Sequence, residues 1–133
     1  MAKRASIEIP GMAHDNPLPA ACRLGPLLIS SGVSGKLPHT GKYPETIEGQ
    51  CAQMFTAIRQ ILEIGGATPE HIVKINMWLK DRSLRPHINK EWLAMFPNPH
   101  SRPARHTFQT QDLPDGMMVQ CEVIAYITAQ IKE

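Results

Sequence analysis

The chain has 133 residues, of which 42% are hydrophobic and 20% charged, with a formal net charge of +2. This length suits a single domain over 1–133 with one core, and the weak charge, without a Lys/Arg run, gives no support for a nucleic-acid surface or a polybasic membrane patch. The cysteines, Cys22, Cys51 and Cys121, are widely spaced and form no CxxC or Cys/His cluster, which argues against a disulfide framework or a zinc site.

After Met1-Ala2-Lys3-Arg4 there is no apolar run of signal-peptide type. No stretch reaches the ~18 apolar residues of a spanning helix, so a cytoplasmic protein with no membrane partner is expected. Ser6 to Ile9 alternates as a short strand and is stopped by Pro10-Gly11. Met12 to Pro19 reads as a loop. Two short strands, Ala21 to Leu24 and Leu27 to Ser31, follow around Gly25-Pro26, and Gly32 to Pro44 reads as a Gly/Pro-rich surface loop.

From Thr46 the period changes. Ile47, Cys51, Met54, Phe55, Ile58, Ile61 and Leu62 recur at helical spacing until Gly65-Gly66, which predicts a helix over 46–64 with one buried stripe. Thr68-Pro69 has the form of an N-cap followed by proline at the first helical position. Ile72 to Leu79 alternates again, placing Val73, Ile75, Met77 and Leu79 on one face and Lys74, Asn76 and Trp78 on the other. A second helix is expected over 86–96, burying Ile88, Trp92 and Met95 or Phe96, and Pro97-Asn98-Pro99 ends it.

The last long stretch, Pro99 to Tyr126, has alternating segments on either side of Leu113-Pro114-Asp115-Gly116 and reads as a β-hairpin. The register that keeps its apolar residues together pairs Phe108 with Cys121, Thr107 with Glu122 and Gln109 with Gln120. Arg105, Thr107, Gln120 and Glu122 would then share one polar face. The resulting order is β-β-β-α-β-α-β-β, an α+β fold with a mainly antiparallel sheet and two helices on one face. The other sheet face, with Lys74, Asn76, Arg105, Thr107, Gln120 and Glu122 beside Trp78, Ile124 and Tyr126, is too mixed for plain solvent exposure and points to contact between subunits.

Leu24-Gly25, Ser30-Ser31-Gly32, Gly65-Gly66-Ala67, Ile72-Val73-Lys74, Lys80-Asp81, Asn89, Phe96, Pro103-Ala104-Arg105, Leu113-Pro114 and Glu122-Val123-Ile124-Ala125 occur in that order along nearly the whole chain. In this order and spacing the chain resembles the reactive intermediate deaminase (Rid/YjgF) family. The resemblance implies a chorismate-mutase-like fold and a homotrimer with ligand clefts between subunits. It also implies hydrolysis of short-lived enamines and imines to 2-keto acids and ammonia, without metal or organic cofactor. An imine carbon is already electrophilic, so catalysis needs chiefly a clamp for the substrate carboxylate and a placed water.

Carried over by resemblance, the carboxylate clamp falls on Arg105, and the pocket serine and asparagine on Ser31 and Asn89. Three positions depart from the family pattern. Leu18 stands where a tyrosine is expected and Thr107 where a cysteine is. Gln120 replaces the glutamate credited with activating water. An amide can orient water through its carbonyl oxygen but cannot accept its proton. Glu122, two residues on, is the residue that would substitute.

Three functions remain in view. The first is a hydrolase of small carboxylate-bearing imines or enamines, and the second a trimeric protein binding keto acids or similar metabolites, with hydrolysis largely lost because Gln120 replaces the family glutamate. The third, a ribonuclease or translation inhibitor, is the one the charge favours least. For Arg105 and Glu122 the plain alternative is a cross-strand ion pair holding the hairpin.

Overall fold

The computed structural model describes residues 3–12 and 14–128; Met1 and Ala2, read above for an export signal, lie outside them. The strands are β1 (Ala5–Ile7), β2 (Ala21–Leu24), β3 (Leu27–Ser30), β4 (Val33–Ser34), β5 (Ile72–Leu79), β6 (Ala104–Gln109) and β7 (Val119–Tyr126). The helices are α1 (Ile47–Gly65) and α2 (Arg85–Met95). The fold is α+β, with one mixed, open sheet in the order β1-β2-β3-β7-β5-β6 and β4 paired to β7.

α1 starts where Thr46 leaves helical backbone and its side chain accepts a hydrogen bond from Gly49 N–H at 3.0 Å. It ends at Gly66, whose φ of 78° is the left-handed conformation that glycine adopts without a Cβ penalty. Arg23 from β2 adds a second stop, donating through Nη1 to the Gly65 carbonyl at 2.6 Å. The expected stripe, from Ile47 to Leu62, is buried in full. With Ile88, Trp92 and Met95 of α2 it packs on the sheet face formed by Leu28, Ile75, Met77, Leu79, Cys121, Val123 and Ala125.

The closing hairpin does not form. β5 lies between β6 and β7, pairing antiparallel with β7 and parallel with β6. The segment between the two closing strands, Thr110 to Met118, is longer than the two to five residues of ordinary hairpin loops. β5, α2 and β6 instead make a strand–helix–strand unit, whose length suits a parallel pair. The register changes accordingly: Thr107 is opposite Met77 and Phe108 opposite Trp78, while Gln120 and Glu122 are opposite Trp78 and Asn76.

Two further expectations change. Val73 is half exposed rather than on the core face, because the β5–β7 register slips between Ile72 and Lys74 and Val73 is the extra residue. The start of the expected surface loop is internal: Val33, Ser34 and Gly35 are buried, and a Cβ on Gly35 would lie 2.4 Å from the Gln50 carbonyl oxygen.

The face away from the helices carries Cys22, Leu24, Leu27 and Ile29 from the first strands and Ile124 and Tyr126 from β7. Leu24 and Tyr126 are 47% and 51% exposed, a large apolar outlay for a solvent face. Its polar centre is the pair Asn76 and Glu122, the amide Nδ2 donating to the carboxylate Oε1 at 2.8 Å. Among the described residues no helix is long and apolar enough to cross a membrane.

Candidate functional site

The polar residues singled out in the sequence fall into two groups. Arg105 and Thr107 are opposite Ile75 and Met77, on the helix-covered side of the edge strand β6. Gln120 and Glu122 are on the other side of the sheet. With one strand intervening and three positions of offset, Arg105 and Gln120 backbones stand roughly 14 Å apart by strand geometry. Arg105 and Glu122 cannot form the cross-strand ion pair, and Glu122 is instead engaged by Asn76.

The first group is built by α2. Asn89 and Trp92 are three residues apart and so lie on one helix face. Arg105 donates through Nη2 to Asn89 Oδ1 at 2.7 Å. Its guanidinium carbon sits 4.9 Å from the centre of the Trp92 ring, a cation–π distance. Trp92 is buried and braced edge-on by Phe96 at 4.8 Å. One guanidinium edge and one face are thereby fixed. Burial, and then the neighbouring Arg85, push the Arg105 pKa down. An arginine starts so far above neutrality that it remains a cation. Among the described residues no carboxylate lies within 4.0 Å of it, the sole acidic–basic contact being His87 Nδ1 with Glu48 Oε1 at 3.3 Å. The result is a half-buried, oriented cation with donors to spare, the chemistry of an anion clamp.

The second group surrounds Gln120, which β7 places between Trp78 and Ser34. A Cβ on Gly32 would lie 2.7 Å from Gln120 Nε2, so the absence of a side chain at Gly32 makes room for the amide. Leu18, Gly32, Ser34, Lys36, Tyr43 and Gln120 are among the walls of a cavity of about 390 Å3. Ser31 is just outside those walls and donates its hydroxyl to the Pro19 carbonyl at 2.7 Å, tying down the loop that carries Leu18. Glu122 does not line the cavity, and Thr107 belongs with Arg105. Among the described residues no cluster of three or more His, Cys, Asp or Glu side chains could hold a metal.

Sequence reading missed Trp92 as the support for Arg105, although its spacing from Asn89 was visible. It also missed Gln50, which is fully buried. The Gln50 amide donates to the carbonyls of Pro44 at 2.9 Å and Gly116 at 2.7 Å and accepts from Met118 N–H at 2.9 Å. It joins α1, the loop before it and the entry to β7, two residues ahead of Gln120. A glutamine inside an apolar helical stripe was the available signal. Buried amides occur where every donor and acceptor finds a partner.

The chain is similar to known proteins over most of its length. The family model described as Endoribonuclease L-PSP matches residues 4–127. The chain is 34% identical over 110 residues to the chloroplastic Reactive Intermediate Deaminase A of Arabidopsis thaliana, covering 82% of this chain and 58% of that relative. It is 29% identical over 103 residues to the 2-iminobutanoate/2-iminopropanoate deaminase of Escherichia coli K12, covering 77% of this chain and 80% of that one. A solved structure of a Rid-family protein of unknown function from Yersinia pestis superposes with a TM-score of 0.84 at 28% identity, covering 94% of this chain and all of that chain.

Proposed function

Because the chain belongs to the Endoribonuclease L-PSP family, which includes the Rid proteins, we propose that it hydrolyses small carboxylate-bearing imines and enamines to 2-keto acids and ammonia. The observation that carries this reading is Arg105, a half-buried cation held by Asn89 and Trp92 with no carboxylate within 4.0 Å among the described residues. The name of the E. coli relative, a deaminase of 2-imino acids, supports the same chemistry.

Arg105 grips the substrate carboxylate, which fixes the imine carbon beside it. A water held by the Gln120 carbonyl oxygen adds to that carbon. One proton of the water passes to the imine nitrogen, directly or through a second water, because the amide cannot take it. The hydroxyl proton of the carbinolamine then passes through water to its amine nitrogen, the C–N bond breaks, ammonia departs and the carbonyl forms. No oxidant or reductant enters.

Since one chain separates Arg105 from Gln120, the complete cleft is assigned to two copies of a homotrimer, with the Arg105 edge of one facing the Gln120 cavity of the next. The apolar sheet face bearing Leu24, Leu27, Ile29 and Tyr126 supports such assembly.

The test generates an imine in situ with an amino-acid oxidase and follows its decay and the keto acid formed. Wild-type protein is expected to accelerate the decay and Arg105→Ala to abolish the effect. Unchanged decay with several imines sinks the hydrolase reading. Gln120 favours a second reading, a keto-acid-binding protein without turnover; Arg105-dependent binding of a 2-keto acid with no hydrolysis would establish it. RNA cleavage, the activity in the family's description, is the weaker reading for a chain of net charge +2.

A further inference from the structure

We propose that the cavity beside Gln120 receives the far end of a substrate bearing a second carboxylate, and that Lys36 is the group that recognises it. The inference rests on the deaminase reading and adds the substrate class to it.

Size is the first argument. About 390 Å3 lies within the range of sites that enclose drug-sized ligands, well beyond the needs of a three- or four-carbon imino acid. Leu18 and Gly32 contribute apolar wall beside Gln120, as a methylene chain requires.

Charge is the second. Lys36 is partly buried in the wall, and among the described residues no carboxylate stands within 4.0 Å of it. Asp15 and His14 also line the cavity, but both are exposed. The Asp15 charge is therefore screened by water more than that of Lys36, and the cavity retains a cationic spot. Tyr43 adds a neutral phenolic donor to the same wall.

Placement is the third. Ser34 is the cross-strand neighbour of Gln120, and Lys36 follows two residues later past a bend at Gly35, so at most roughly 7 Å of chain separates the two. That spacing suits an imine held beside Gln120 whose distal carboxylate lies a few methylenes away. Hydrogen bonds within the chain hold the loop. Lys36 N–H donates to Ser34 Oγ at 3.3 Å, Leu37 N–H to Lys42 O at 2.8 Å and His39 N–H to Gly11 O at 2.8 Å. A Cβ on Gly41 would come within 3.6 Å of Lys36 Cε, so the lysine stem lies along that glycine.

The experiment compares imines made by amino-acid oxidases from alanine and 2-aminobutyrate with those from glutamate and 2-aminoadipate. In parallel, calorimetry measures binding of pyruvate and 2-oxobutyrate against 2-oxoglutarate and 2-oxoadipate. Wild type is expected to favour the dicarboxylates at least tenfold in kcat/KM and in affinity. In Lys36→Met, confirmed as folded by circular dichroism, that ratio should fall to near one, and Lys36→Arg should restore part of it. A wild-type ratio near one, or a ratio that survives Lys36→Met, overturns the proposal. If no imine is turned over, the deaminase reading fails while the affinity ratio still decides Lys36. If no keto acid binds, both fall.

Discussion

Gln50 carries a structural load that one substitution should expose. Replacing it with leucine keeps the volume approximately but removes two donated hydrogen bonds and one accepted bond, leaving the Pro44 and Gly116 carbonyls and the Met118 N–H without their partner. A net loss of about 1 kcal/mol per bond gives a destabilisation of about 3 kcal/mol, and groups left unsatisfied could raise it further. Urea unfolding at fixed protein concentration, followed by the fluorescence of Trp78 and Trp92, measures the cost without interference from mass action. Gln50→Glu sharpens the test because its carboxylate would face two carbonyl oxygens. Only the protonated acid can donate to either, so its folded-state pKa should be raised above the unfolded value of about 4.3. The stabilising contribution of the neutral acid is then fully present below that unfolded value and is lost as pH rises through the raised folded one. Gln50→Glu should therefore be relatively most stable in mild acid. A Gln50→Leu protein within 1 kcal/mol of wild type, or a Gln50→Glu protein with no extra pH dependence, would refute the reasoning.

Trp92→Leu should raise KM by about two- to thirty-fold with a smaller change in kcat, because the indole orients Arg105 by a cation–π contact of about 0.5–2 kcal/mol; Trp92→Phe should recover part of it, and equal loss in both variants would make Trp92 merely structural. Gly32→Ala should displace the Gln120 amide and depress turnover more than stability, checked by pairing the imine assay with a melting curve. Gln120→Glu should speed imine hydrolysis if a proton acceptor is limiting, and an unchanged rate would assign that proton to solvent. The Cys51 thiol is pushed up to about 12, first by burial and then by Glu91 and Glu48, so at pH 8 roughly one side chain in ten thousand is thiolate. Burial also raises Cys121. Both should resist iodoacetamide until urea unfolds the chain, as mass spectrometry of the alkylated protein would show.

The amino-acid order alone determined the helices, the strand over 72–79 and the faces of most strands, since each depends on a local period and on stops such as Gly65-Gly66 and Pro97-Asn98-Pro99. Asn89 and Arg105 also entered through the sequence, by family resemblance, and the fold brought them into contact. Strand partners were decided elsewhere. An alternating segment reports which side chains share its own face, but any strand can satisfy its backbone groups, so period two is silent on the neighbour. The strand–helix–strand succession ending at Gln109 and the long connection to Val119 were the signs that β6 belongs beside β5. That single insertion moved Arg105 and Thr107 to the side opposite Gln120 and Glu122 and removed the Arg105–Glu122 pair. Only tertiary structure could also bring Trp92 beneath Arg105 and place Lys36 in the wall that holds Gln120, because those contacts join segments far apart in the chain.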